Sequence, residues 1–176
     1  LGTHRIIHLA THALLPGELS CVQEPSIVVS TARGAADAST AFLRASQVLD
    51  MQLDADLVIL SACNTAGPAS GLAGASGAAG EALSGLARSF FYAGARGLLV
   101  THWPAVDQAA AITVADTMRR QEAGSDSATA LRGAQLVLLD EAGRGLPAFY
   151  AHPYYWAAFA LIGDGRRATP ERLAAL

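Results

Sequence analysis

The chain has 176 residues, of which 52% are hydrophobic and 15% are charged, and its net charge is −3. A chain of this length and composition is expected to form one domain with a buried core. All basic residues are Arg and they are scattered, so the sequence lacks the basic stripe that nucleic-acid binding requires. We therefore expect protein or small-molecule partners and no nucleic acid.

The number of cysteines and the length of the apolar runs indicate the compartment in which the protein is expected. Cys21 and Cys63 are the only two cysteines, which excludes a disulfide scaffold and the close Cys pairs of a zinc site. The sequence has neither an apolar run near the ~20 residues of a membrane span nor a signal segment. We expect a cytoplasmic protein without a membrane partner. Because the first residue is Leu and an apolar run follows almost directly, we also expect a piece of a longer chain.

The first part of the chain is predicted to contain three strands and one helix. Residues 4–10 are rich in β-branched side chains and predict a strand, and residues 26–30 predict a short second one. Residues 39–51 are predicted to be helical because four apolar side chains recur at helical spacing: Phe42, Leu43, Val48 and Leu49. The continuous apolar run at residues 57–60 is typical of a parallel strand buried on both faces.

The middle of the chain is predicted to be a loop, a helix and a strand. Residues 64–77 predict the loop, and residues 98–101 predict a third buried strand. The helix is expected over residues 78–93, with Gly94 ending it. Four side chains are expected on its buried side: Leu83, Leu86, Phe90 and Phe91.

The last part of the chain is predicted to add two helices and a final strand. The helices are expected over residues 106–122 and 127–141, and Asp126 or Ser127 is expected to cap the second. The aromatic and apolar run at residues 154–162 predicts the strand. Strands separated by helices predict an α/β domain with a mostly parallel sheet. Apart from the short strand at residues 26–30, only four good strands are visible, with the opening one at an exposed edge, so we expect that N-terminal strands are missing.

Two reactive residues follow strands of the predicted sheet. His12 comes just after the first strand, and Cys63 just after the run at residues 57–60. Ligands bind at the carboxyl ends of parallel strands, so neighbouring strands would place both side chains in one crevice. An imidazole there helps to form the attacking thiolate and later protonates the leaving amine. The backbone N–H groups of Cys63 and Ala13 are candidate oxyanion donors.

The sequence separation of this pair is compatible with cysteine peptidase chemistry. It is 63 − 12 = 51 residues, close to the roughly 50 residues between His and Cys in caspases, although the caspase signature around the cysteine is absent. A lone Cys after a buried strand is more often a small core residue, and a lone His at a strand end is more often structural. Chemistry and spacing alone leave both interpretations open.

A wider pattern covers nearly the whole chain. It consists of five segments: residues 7–13 (IHLATHA), 55–65 (ADLVILSACNT), 85–96 (GLARSFFYAGAR), 102–104 (HWP) and 152–159 (HPYYWAAF). In sequence and order they resemble the CHAT family of caspase-like domains, relatives of caspases and separases.

The resemblance implies a fold and a pair of catalytic residues. The fold is a caspase-like three-layer α/β sandwich, of which residues 1–176 would be the C-terminal portion. His12 and Cys63 match the family's catalytic dyad. Caspases and separases have Gly after the catalytic His, whereas this chain has Ala13. CHAT sequences also use Ala there, and Ala retains the N–H donor.

The resemblance also indicates where substrate would lie. Thr101, His102 and Trp103 match residues that line the groove next to the cleaved bond, although Trp103 fits core packing equally well. On chemistry alone His102 is a rival to His12 for the acid–base role. Many caspase relatives bind a basic substrate residue with a buried acid, and two acids are nearest to the expected pocket: Asp107 and Glu81. Each fits a solvated or capping carboxylate better.

Three other features are given structural interpretations. The Gly-rich run at residues 71–80 lacks the Lys-Ser/Thr ending of a phosphate loop, so a mobile loop over a bound peptide or a plain linker is expected. His8 lies inside a strand and is expected to be a satisfied core histidine. Cys21 lies in a predicted loop and is not expected to be catalytic.

The function expected from the resemblance is that of a cysteine endopeptidase that cleaves a specific protein partner. The scheme requires no metal or cofactor. In the family a helical-repeat region that recruits partners often precedes this domain. The alternative is a catalytically inactive caspase-like module that binds a protein partner, and a weaker one is a general α/β ligand-binding domain.

Overall fold

The computed structural model describes residues 4–14, 16, 18–20, 22–30, 41–61 and 78–165, with the backbone alone at residues 78–84. The strands are β1 (Ile6–Leu9), β2 (Ala13–Leu14), β3 (Ser26–Val28), β4 (Phe42–Arg44), β5 (Leu57–Leu60), β6 (Gly97–Thr101) and β7 (Phe159–Gly163). The helices are α1 (Ala45–Leu49), α2 (Ala78–Tyr92), α3 (Asp107–Glu122), α4 (Ser127–Glu141) and α5 (Pro153–Trp156), with a 3-10 turn at Ala148–Ala151.

A four-stranded sheet forms the centre of the domain. Its order is β1-β5-β6-β7, in which β1, β5 and β6 are parallel and β7 is antiparallel to β6. The predicted α/β class with a mostly parallel sheet is therefore confirmed. Within the described residues, no helix has both the length and the apolar character needed to cross a membrane.

Apolar residues are buried on both faces of this sheet, which gives three layers. On one face, alternate side chains of β5 and β6 pack with Phe90 of α2 and Val48 of α1. On the other face, Leu57, Ile59 and Leu99 pack with Val114 of α3 and with α4. Every residue of β5 and β6 is buried, so the predicted strands at residues 57–60 and 98–101 are confirmed.

A second, three-stranded antiparallel sheet corrects one prediction. Its order is β2-β3-β4, and residues 42–44, predicted to be helical, form the strand β4. Phe42 and Leu43 pair with β3, and within the described residues 41–51 the α-helix is Ala45–Leu49. Residues 31–40 lie outside the described residues. The apolar spacing was ambiguous because Phe42 and Leu43 are adjacent to each other and fit a short strand equally well.

The helix boundaries largely follow the predicted signals. Gly94, the second residue after α2, has a φ of +104°, as expected of a glycine that ends a helix. Asp126 caps α4, because its carboxylate accepts a hydrogen bond from the Thr129 N–H at 2.9 Å. The helices predicted at residues 106–122 and 127–141 are α3 and α4. The loop predicted at residues 64–77 lies outside the described residues.

The last predicted strand is shorter than expected. Residues 154–156 belong to the helical turn α5, and the strand comprises only Phe159–Gly163. Pro153 occupies the start of this turn, and the His152 ring accepts a hydrogen bond from the Tyr154 N–H at 3.2 Å. Pro is preorganised for the first helical position, and this cap outweighs the strand propensity of the aromatic residues that follow.

Candidate active site

The carboxyl ends of β1 and β5 lie side by side. The two strands pair in parallel from Ile6 with Leu57 to Leu9 with Leu60, so partners differ by 51 in number. His12 and Cys63 differ by the same number, 63 − 12 = 51, and each follows the last paired residue by three positions. The condition that their strands be neighbours is therefore met. Cys63 itself lies outside the described residues, which end at Ser61 on this side of the chain.

Hydrogen bonds with Val28 hold the backbone at His12 in place, while the His12 side chain is exposed. The carbonyl of His12 accepts a bond from the Val28 N–H at 2.8 Å, and the Thr11 hydroxyl donates to the Val28 carbonyl at 2.8 Å. The chain thus leaves β1 and enters the small sheet at His12. The imidazole lines a cavity at this edge of the central sheet.

The backbone N–H of Ala13 points away from the small sheet. His12 and Val28 form a hydrogen-bonded pair, so the next pair of the antiparallel ladder, Ala13 with Ile27, is a non-hydrogen-bonded one. In such a pair the N–H groups face outward from the ladder. The orientation is compatible with the predicted role of Ala13 as an oxyanion donor.

A cavity of about 510 Å³ opens beside His12. Its polar wall is formed by five side chains: His8, Thr11, His12, Ser61 and Asp107. Its apolar wall is formed mainly by one face of α3, which includes Ala110, Val114 and Met118. The cavity therefore lies between α3 and the carboxyl ends of β1 and β5.

His8 differs from the predicted core histidine. Its side chain is exposed toward the cavity and its Nε2 atom lies 2.8 Å from the Ser61 hydroxyl oxygen. The surrounding walls remove enough water from the ring to lower the pKa of His8 below its usual value. Prediction from sequence missed Ser61, although the alternation of side chains along β5 places Ser61 on the same face as Ile59, which pairs with His8.

The four groove candidates lie in different environments. Thr101 is fully buried in β6, His102 is exposed and Trp103 is half-buried. Asp107 is exposed as the first residue of α3, and among these four it is the one that lines the cavity with His12. The side chain of Glu81 lies outside the described residues.

Trp103 is held mainly by contacts within the domain. Its indole N–H donates to the Tyr154 carbonyl at 2.9 Å, and its ring stacks on that of Tyr154 with centroids 6.2 Å apart. It also packs against the cluster on the α3–α4 face of the sheet. These contacts agree with the core-packing alternative, while the half-buried ring retains an exposed surface at the end of β6.

Metal ligands do not cluster in the part of the chain that the structure describes. Within those ranges, no three His, Cys, Asp or Glu side chains are close enough to hold one ion.

A three-layer α/β domain with reactive residues after adjacent parallel strands is typical of caspase-like peptidases. The sequence model of the CHAT domain matches residues 2–164, and the chain belongs to the CHAT domain family. No curated protein matches the chain.

Proposed function

We propose that this chain is a cysteine endopeptidase domain that cleaves a protein partner through a Cys63–His12 dyad. One observation carries the proposal: β1 and β5 are parallel neighbours whose 51-residue register equals the separation of the two residues. Membership in the CHAT domain family supports it.

Each residue has a defined role in the proposed reaction. Cys63 transfers its thiol proton to His12, and the resulting thiolate attacks the carbonyl carbon of the cleaved bond, whose oxygen takes up the negative charge. The N–H groups of Ala13 and Cys63 donate hydrogen bonds to that oxygen. His12 protonates the leaving amine as the C–N bond breaks, which leaves a thioester on Cys63. Neutral His12 then removes a proton from water as the water oxygen attacks the thioester, the C–S bond breaks to release the acid, and the proton on His12 returns to the Cys63 sulfur.

The proposal extends to the setting of the reaction. A protein substrate and a reducing compartment, the cytoplasm, suit a free nucleophilic thiol. A helical-repeat region elsewhere in the full-length protein is proposed as the part that recruits the substrate. Nucleic acid, membrane and metal have no role in the scheme.

A thiol-reactive peptide probe tests the dyad. Cys63→Ala is expected to abolish labelling, and Cys21→Ala is expected to leave it unchanged. His12→Ala is expected to slow labelling by more than about 100-fold, the scale of one acid–base group. Mass spectrometry of the labelled peptide identifies the modified cysteine.

Three outcomes would contradict the proposal. Labelling of Cys63 that is independent of His12 would exclude a catalytic pair. A large loss in His102→Ala without one in His12→Ala would assign the acid–base role to His102. Probe labelling without cleavage of any member of a diverse peptide library would favour a module that binds a partner without cutting it.

A further inference from the structure

His8 and Ser61 connect the two strands that carry the proposed dyad. His8 lies on β1 opposite Ile59, and Ser61 lies two residues farther along β5 on the same face. The His8 ring leans toward the carboxyl end of the sheet and meets the Ser61 hydroxyl at 2.8 Å. Both side chains line the cavity that contains His12.

The contact is made where the strand pairing stops. Leu9 and Leu60 are the last paired residues of β1 and β5. Beyond Leu9 the chain turns into the small sheet, so β1 no longer runs beside Ser61. The side-chain hydrogen bond therefore ties Ser61 to β1 just past the last backbone pair.

The chemistry of His8 and Ser61 suits a positioning role better than an electrostatic one. Partial desolvation lowers the pKa of His8, which favours the neutral ring. A neutral imidazole offers one donor and one acceptor, and a hydroxyl can match either. The bond is thus satisfied in either tautomer without adding a charge beside His12.

We propose that His8 and Ser61 are positioning residues that fix the direction in which the chain leaves β5 toward Cys63. Only Ala62 separates Ser61 from Cys63. An anchor on Ser61 therefore fixes a point of the chain two residues before the proposed nucleophile. Small displacements of a reacting group weaken catalysis strongly, so such an anchor affects the rate without touching substrate. The inference rests on the proposed function.

The test measures the rate of Cys63 labelling by the peptide probe in a Cys21→Ser background. Ser61→Ala and His8→Ala are each expected to slow labelling about fivefold to tenfold, the scale of one neutral hydrogen bond. The double variant is expected to be no slower than either single one, because both remove the same bond. Ser46→Ala is the matched control, since Ser46 also makes a 2.8 Å hydroxyl bond, to Glu24, away from the cavity.

Conservative variants separate positioning from a general effect on the fold. Ser61→Thr keeps the hydroxyl, and His8→Gln places an amide where the Nε2 atom lies. Both variants are expected to restore most of the labelling rate. A purely structural role would instead make the labelling rate change in parallel with Tm. Tm is measured for every variant by differential scanning fluorimetry.

Two results would overturn the inference. One is a labelling rate that equals that of Ser46→Ala in both single variants. The other is additive losses in the double variant without rescue by Thr or Gln. If His12→Ala still slows labelling, either result removes the positioning pair and leaves the dyad intact. If His12→Ala has no effect, the dyad itself fails.

Discussion

Gly94 and Gly124 occupy the same position at the ends of two helices. Each follows its helix with a positive φ, +104° and +103°. In both, the glycine N–H and the following N–H bond back to carbonyls in the last helical turn. This is the Schellman arrangement, which favours glycine. Their surroundings differ, because a Cβ on Gly94 would overlap the Leu53 carbonyl oxygen, whereas a Cβ on Gly124 would meet open space.

Substitution by Ala is therefore expected to reduce stability by different amounts at the two glycines. Gly124→Ala is expected to lower the free energy of unfolding by about 1–2 kcal/mol, the cost of left-handed backbone for an L-residue. Gly94→Ala is expected to cost about 1–3 kcal/mol more, because the Leu53 backbone must also move. Urea unfolding monitored by circular dichroism measures both. Equal losses would mean that the chain around Leu53 relaxes freely.

At the residue scale, the sequence predicts those residues whose role depends on their near neighbours along the chain. Gly94 and Asp126 were predicted because helix ends have recognisable local chemistry. The separation of His12 and Cys63 can also be counted in the sequence, but it indicates that the two residues lie close together only if their strands are neighbours. The bond between His8 and Ser61 could not be predicted, because it needs both the strand pairing and its register.

Helix α2 shows how one element divides between core and solvent. Phe90 is 1% exposed and packs against the central sheet with Leu86, whereas Tyr92, two residues on, is 80% exposed. Side chains two positions apart on a helix point in different directions, so the same aromatic truncation samples two environments.

Truncation of Phe90 and Tyr92 to Ala measures how much the packing of α2 contributes to the free energy of unfolding. Phe90→Ala is expected to lower the free energy of unfolding by about 3–5 kcal/mol, because it opens a cavity in a close-packed layer. Tyr92→Ala is expected to change it by less than about 0.5 kcal/mol. Chemical denaturation of both variants under identical conditions measures the difference. A loss in Phe90→Ala as small as that in Tyr92→Ala would mean that α2 does not stabilise the sheet.

At the element scale, long and regularly patterned segments were predicted well, as was the short strand β3 (Ser26–Val28), whereas β4 and α5 were not. The strand β5 and the helices α3 and α4 follow from continuous or periodic apolar patterns. The strand β4 has three residues, and its pairing with β3 decides its conformation. In α5 the cap of His152 and Pro153 outweighs strand-forming side chains. The pairing of β4 with β3 is a contact that a local pattern does not contain, whereas the α5 cap is local but is not part of the apolar pattern.

At the scale of the whole molecule, the described part of the chain contains two sheets of different construction. In the central sheet, β5 and β6 each pair on both sides, and all their residues are buried. In the small sheet, β2 has two residues and β4 has three, and both are only half-buried. Because His12 bonds to Val28 at the start of the small sheet, the proposed active site spans both units.

This arrangement predicts that the domain opens in two steps. Amides of β5 and β6 are expected to exchange with solvent only through global unfolding, since their bonds lie within the buried sheet. The amides of Val28 and Val29, which donate to His12 and Ala41 in the small sheet, are expected to exchange at least about tenfold faster through local opening.

Native-state hydrogen exchange across a series of denaturant concentrations distinguishes the two routes. Local opening exposes little surface and depends weakly on denaturant, whereas global unfolding depends strongly on it. Equal protection and equal denaturant dependence in both sheets would show one cooperative unit. If the small sheet opens first, the backbone hold on His12 is lost while the β1–β5 pairing persists. The geometry of the proposed dyad would then depend on the less stable of the two sheets.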